Sequence, residues 1–225
     1  MTLGRPRRHQ RVTGSTSADA VALAAAGAPH GTLVTAGMQT AGRGRQGRRW
    51  SAPAGRALLL SVVLRDFDRL LPLRAGLAVA AVAGRGAQLK WPNDVLLDER
   101  KVAGILVDLS PQRDWAVLGI GINVAVEFGD LPPELVATAG TLGASEQDVE
   151  PLLRDLLRAL ADVLAASAAT VLAEWSHLDA LFGRRVVWAG GDGIAAGMDA
   201  TGALRVERPD GRVVSLDAGE VHLTG

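Results

Sequence analysis

Three apolar runs follow one another between residues 87 and 126 with almost no chain between them. They read AQLKWPNDVLL, KVAGILVDL and DWAVLGIGINVAV, joined through LDERK and SPQRD. Parallel neighbours need a crossover of a dozen or more residues. Connections this short therefore predict antiparallel hairpins in one sheet. ALLLSVVL (57–64) adds a continuous, branched, fully buried strand, and GTLVTAGMQT another before it. Helices are expected on the flanks. SADAVALAAAG (17–27) has its N-cap near Ser15–Ser17 and a stop at Gly27, and LPLRAGLAVAAVAG (71–84) has Pro72 in its first turn. Residues 151–175 have the apolar spacing of a single long helix, after a loop at 129–148. Composition shifts after Phe182. Short alternating strands are cut by GGDG, DATG and RPDGR, and Pro-Asp-Gly between such strands is a hairpin turn. The pattern is α+β, with a small β-barrel of roughly five strands at its end.

With 48% hydrophobic and 21% charged residues the chain can bury a large core. Lys plus Arg and Asp plus Glu both number 24, which argues against a protein whose main task is gripping nucleic acid. The absence of cysteine excludes disulfides, thiolate catalysis and cysteine-bound metals. It is compatible with the cytoplasm, the expected location. His9, His30, His177 and His222 lack ligand spacing. No apolar run is long enough to cross a bilayer. Residues 1–12 are expected as a flexible tail, with a nucleic-acid arm as the lesser alternative.

The local exception to the neutral balance is TAGRGRQGRRW (40–50). Gly42, Gly44 and Gly47 satisfy the spacing of a dinucleotide-binding turn. That turn must open a helix. Here RRWSAPAGR follows without helical periodicity, and by Leu58 the chain is a strand again. An arginine-glycine RNA-binding tract would repeat its unit, and this one does not. What remains is an anion clamp. Arg43, Arg45, Arg48 and Arg49 offer donor forks, and glycine permits close approach. Four like charges repel until neutralised, so the loop is expected to be mobile when empty and ordered around an anion. Trp50 suits the cover of a ring.

Three further stretches agree. In KWPNDVLL, Asn93 and Asp94 suit a ribose, a triphosphate or a magnesium ion, although an Asx turn after proline is the blander reading. Lys101 heads an otherwise apolar strand, a costly place without an anion, with Gly104 three positions on. GIGINV sets glycines inside a strand, where a ligand can approach, and then Asn123.

Together, STS near the start, QTAGRGRQGRRW, KWPNDVLL, KVAGILVD and GIGIN resemble the bacterial biotin protein ligases, in order and over nearly the whole chain. The resemblance implies a class II synthetase-like, biotin/lipoate ligase catalytic domain over residues 13–182, a mixed sheet with flanking helices. It implies an SH3-like β-barrel over 183–225. It implies activation of biotin by Mg-ATP to biotinyl-5′-AMP and transfer to a lysine of a biotin carboxyl carrier protein. Ser15, Thr16, Ser17, Gln39, Gly42, Arg43, Gly44, Arg45, Lys101 and Gly104 would form the biotin site, with Ser17 standing where the family usually has Asn. Arg45, Arg48, Trp50, Asn93 and Asn123 would hold the nucleotide, Lys101 and Arg45 would be catalytic, and Asp94 is a candidate magnesium ligand. The segment between Leu77 and Lys90 is short for the family's helix plus strand. With about a dozen residues before Thr13, no DNA binding is expected, and the chain is expected as a monomer or weak homodimer. The competing readings are a lipoate or octanoate protein ligase and a non-enzymatic nucleotide- or RNA-binding module.

Overall fold

The computed structural model describes residues 3–112 and 114–223. The chain opens with β1 (Arg7–Gln10), α1 (Thr16–Ala25), β2 (Leu33–Ala36) and β3 (Ala57–Leu64). Helix α2 (Leu71–Ala83) leads into β4 (Gln88–Lys90), β5 (Asp94–Leu97), β6 (Arg100–Leu109) and β7 (Ala116–Asn123). A single turn, α3 (Pro133–Val136), precedes α4 (Val149–Ala165) and α5 (Ala168–His177). The remaining strands are β8 (Arg185–Trp188), β9 (Gly191–Met198), β10 (Leu204–Glu207), β11 (Val213–Leu216) and β12 (His222–Leu223).

The first seven strands form one mixed sheet in the order β1-β2-β3-β7-β6-β5-β4. The expected hairpins are there: β5 pairs antiparallel with β6, and β6 with β7. β3 and β7 lie side by side at its centre, and all eight residues of each are buried. Continuous apolar runs suit strands covered on both faces. On one face Ala20 and Ala24 of α1 pack against Val34, Val63 and Val117. Small side chains let that helix lie close. On the other face α2, α4 and α5 contribute Leu71, Val79, Leu153, Leu156 and Trp175 to the main core.

Four expectations are corrected. Residues 7–10, placed in a flexible tail, form β1 and run parallel to β2. Arg7 is held by Glu150 and Thr35, and His9 by Thr35. AQLKWPNDVLL is two strands, because Pro92 has no N–H for a ladder and the chain turns back to pair Lys90 with Asp94. The single helix over 151–175 is broken at Ala166–Ser167. Ser167 caps α5 by accepting from Thr170 N–H at 3.1 Å. Buried Arg74 takes the last carbonyls of α4, donating to Val163 at 2.5 Å and Ala166 at 2.8 Å. The closed barrel is not formed among the described residues. The five C-terminal strands make an open antiparallel sheet, β11-β10-β9-β8-β12. Its apolar face, with Val186, Ala195, Leu204 and Val206, is covered by the main core instead of by closure on itself.

Candidate active site

Strands β3, β6 and β7 floor a cleft, and the arginine loop lies over it. The floor is low because it is glycine. A Cβ at Gly119 would lie 2.6 Å from Ser17 Oγ, one at Gly121 2.5 Å from Trp50 Cε2, and one at Gly104 2.9 Å from Trp50 Cζ3. The interior glycines thus admit a hydroxyl on one side and an indole on the other.

At the hydroxyl end, Ser15 caps α1 and sets the following residues at the rim. Gln39 Oε1 accepts from Thr16 N–H at 2.7 Å and from Thr16 Oγ1 at 3.1 Å. Ser61 Oγ donates to Thr16 Oγ1 at 2.9 Å and lies 3.2 Å from Ser17 Oγ. This is a connected network of small, uncharged donors and acceptors.

At the other end lie the cations. The loop is a hairpin: Trp50 N–H donates to Gly42 O at 3.0 Å and Gly44 N–H to Arg48 O at 2.8 Å. Gln46 and Gly47 turn it with φ of 54° and 74°. A Cβ at Gly42 would lie 2.4 Å from Trp50 O, so the glycine spacing serves the hairpin and not a helix N-terminus. The loop's charges are met by the chain's own groups. Arg43 is bidentate to Asp108, both contacts 3.1 Å. Arg45 donates to Asn93 Oδ1 at 2.8 Å and to Gly219 O at 3.1 Å. Arg48 ion-pairs with Glu220, and Arg49 donates to Thr40 O. Two of the four arginines thus meet internal acids, Asp108 and Glu220, and the other two neutral acceptors on Asn93, Gly219 and Thr40.

Lys101 Nζ lies 2.6 Å from Asp94 Oδ1, close enough for an ion pair although not aimed as a hydrogen bond. It also lies 5.9 Å from the centre of the Trp50 ring. Burial pulls the Arg45 guanidinium below its ordinary value, opposed by Asp94, and it stays charged at any ordinary pH. Burial also lowers the Lys90 ammonium, with Lys101 and Arg48 adding to the shift and Asp94 opposing it. The site is a cationic cluster in which Asp94, Asp108 and Glu220 each pair with one cation.

Thr16, Ser17, Gln39, Arg43, Gly44, Arg45, Trp50, Asn93, Lys101 and Gly104 all line this cleft. Ser15, Gly42 and Arg48 stand behind it in the roles just given. Asn123, buried at the end of β7, donates to Gly140 O at 2.8 Å. Among the described residues its Oδ1 and the Trp50 Nε1 are buried without a hydrogen-bond partner. Asp94 is a counter-ion to Lys101, and among the described residues no three His, Asp or Glu side chains cluster to hold a metal. Sequence reasoning missed Ser61, Lys90, Asp108 and Glu220. Only Lys90, beside Trp91 in a motif already noticed, carried a local signal.

The site thus combines a glycine floor on a mixed sheet with a hydroxyl pocket at one end and an arginine hairpin at the other. Residues 10–124 match the biotin/lipoate A/B protein ligase family, and the chain belongs to it. It is 37% identical over 231 residues to the biotin--[acetyl-CoA-carboxylase] ligase of Mycobacterium tuberculosis, covering 93% of this chain and 85% of that one. It is 40% identical over 152 residues to the bifunctional ligase/repressor BirA of Bacillus spizizenii, covering 62% of this chain and 47% of that protein. The chain thus spans about half the length of that relative. The biotin protein ligase of Aquifex aeolicus, solved in complex with biotin and ATP, superposes with a TM-score of 0.83 at 28% identity, over 98% of this chain and 99% of that one.

Proposed function

We propose that this chain is a biotin protein ligase. The observation that carries the reading is the meeting, in one cleft, of a neutral polar pocket (Thr16, Ser17, Gln39) with Lys101 and the arginine hairpin. Biotin presents a neutral ureido ring at one end and a carboxylate at the other, and the cleft has the same polarity. A carboxylate oxygen attacks the α-phosphorus of Mg-ATP, the α–β bond breaks and pyrophosphate leaves. Two anions must be brought together, so cancelling charge and fixing position are the main catalytic levers. Lys101 and Arg45 supply that charge. Arg48, Trp50, Asn93 and Asn123 hold the nucleotide, with Trp50 against the base. Ser15, Gly42, Arg43, Gly44 and Gly104 complete the biotin side. Asp94 would hold the nucleotide's magnesium only on releasing Lys101, its ion-pair partner. A carrier lysine amine then attacks the acyl carbon, loses a proton, and AMP departs.

The carrier that fits this chemistry is the biotin carboxyl carrier domain of an acetyl-CoA carboxylase, in the cytoplasm, and the enzyme acts as a monomer or weak homodimer. The seven-stranded sheet with its helices forms its catalytic unit, and residues 183–225 a C-terminal appendage. The test is pyrophosphate release from Mg-ATP with biotin, lipoate or octanoate supplied in turn. Release with biotin alone is expected. Release with lipoate or octanoate instead moves the chain to the sister activity, and none with any acid from a folded sample overturns the reading.

A further inference from the structure

The arginine hairpin is tied down partly from the far end of the chain. Gly219 O accepts from Arg45, and the next residue, Glu220, ion-pairs with Arg48. Both acceptors sit between β11 and β12. Their segment belongs to a sheet anchored beside the cleft, where Trp91 Nε1 donates to Gly202 O at 3.1 Å. Glu220 has little else to hold it, since its other oxygen is 3.6 Å from His222 Nε2. Its side chain is 28% exposed and that of Arg48 58%, so the pair can open without disturbing the core.

We propose that Glu220 is an internal anion that competes with the nucleotide's phosphates for Arg48, and so sets the affinity of the site for ATP. A carboxylate and a phosphate offer a guanidinium the same pair of oxygens. Arg48 cannot serve both fully, and the strength of the Glu220 pair is subtracted from the strength of nucleotide binding. Asp108 plays no such part toward Arg48, because both its oxygens are taken by Arg43. Glu220 is thus a positioning residue, contributed by the C-terminal sheet to a site built on the larger one. This inference rests on the ligase reading for the identity of the anion.

The experiment is equilibrium calorimetry on the full chain, titrating Mg-ATP without biotin so that no turnover occurs, and biotin separately. Glu220→Gln keeps the shape and removes the charge. It is expected to tighten ATP by about 3- to 10-fold, a change of up to about 1.4 kcal/mol, and to leave biotin affinity unchanged. In an Arg48→Ala background the same substitution should have no effect on ATP. Glu220→Ser repeats the measurement should the glutamine variant fold poorly. Unchanged ATP affinity, or weaker binding of both ligands, would make Glu220 a strut and overturn the proposal. No ATP heat in any variant overturns it together with the ligase reading. Wild-type ATP binding without biotin-dependent pyrophosphate release overturns only the latter, and the ratio between variants still decides the exchange.

Discussion

Two glycines two residues apart in β7 separate the halves of the cleft, and each yields a distinct prediction. At Gly121 an added methyl would meet Cε2, Cζ2 and Nε1 of Trp50 at 2.5–2.8 Å. A rigid indole cannot yield except by leaving its seat. At Gly119 the methyl would meet Ser17 Oγ, the end of a rotatable side chain. Gly121→Ala is therefore expected to raise KM for ATP by about tenfold, a loss of about 1.4 kcal/mol, with KM for biotin little changed. Gly119→Ala should do the reverse and more mildly. Steady-state kinetics with each substrate varied in turn would check both, and equal effects on the two constants would refute this division. Lys101→Ala should lower kcat for pyrophosphate release by about 10²- to 10³-fold, as expected for a charge aimed at the transition state. Loss of KM alone would reduce Lys101 to a binding role. Lys101 and Trp50 were legible because a cation or a large ring interrupting apolar or glycine-rich chain is conspicuous. Ser61 and Asp108 were not, because they reach Ser17 and Arg43 across 44 and 65 residues of chain.

At the scale of elements, hydrophobic period was read well and interruptions badly. β3 and α2 lie where their patterns place them. The break between α4 and α5 was missed because apolar spacing continues across it, and the group that stabilises it, Arg74, lies on another helix. Arg74 is 5% exposed and bonds Asp68 as well as the two α4 carbonyls. Arg74→Met leaves buried acceptors unsatisfied and is expected to cost about 2–3 kcal/mol, read from urea denaturation. The pH dependence has a definite sign. The hydrogen bond from Arg74 holds the Asp68 carboxyl below its ordinary value. A carboxyl lowered in the folded state stabilises above its unfolded value, and that contribution is lost as pH falls through the folded one. The deficit of Arg74→Met should thus be steady near neutrality and shrink only below about pH 4. A deficit that grew on acidification would show that Asp68 is not its partner.

At the scale of the whole molecule, the change of composition after Phe182 suggests a separable appendage, and pairs of domains usually move unless their interface is large and apolar. Alternation along β8 and β10 tells that each has an apolar face, but nothing about what covers it. In the structure Val186, Leu204, Val206 and Val221 share one continuous core with Leu60, Ile105 and Ile122 of the larger sheet. The two sheets are expected to unfold together, in a single calorimetric transition whose measured and van't Hoff enthalpies agree. Gly202 probes the seam. It has φ of +83°, and a Cβ there would lie 2.7 Å from Leu70 Cδ2 and 2.9 Å from Leu73 Cδ1. The left-handed backbone alone makes alanine cost about 1–2 kcal/mol, while the two leucine ends can shift to accept the methyl. Gly202→Ala should lower the melting temperature of the whole chain by a few degrees, about 2–4 °C per kcal/mol at this size, with one transition retained. A melting curve that splits, with the C-terminal strands lost first, would mean that the shared core is too weak to couple the sheets. Glu220 would then be carried on an element able to leave the site, freeing Arg48, and the affinity for ATP would rise with temperature before the catalytic sheet unfolds.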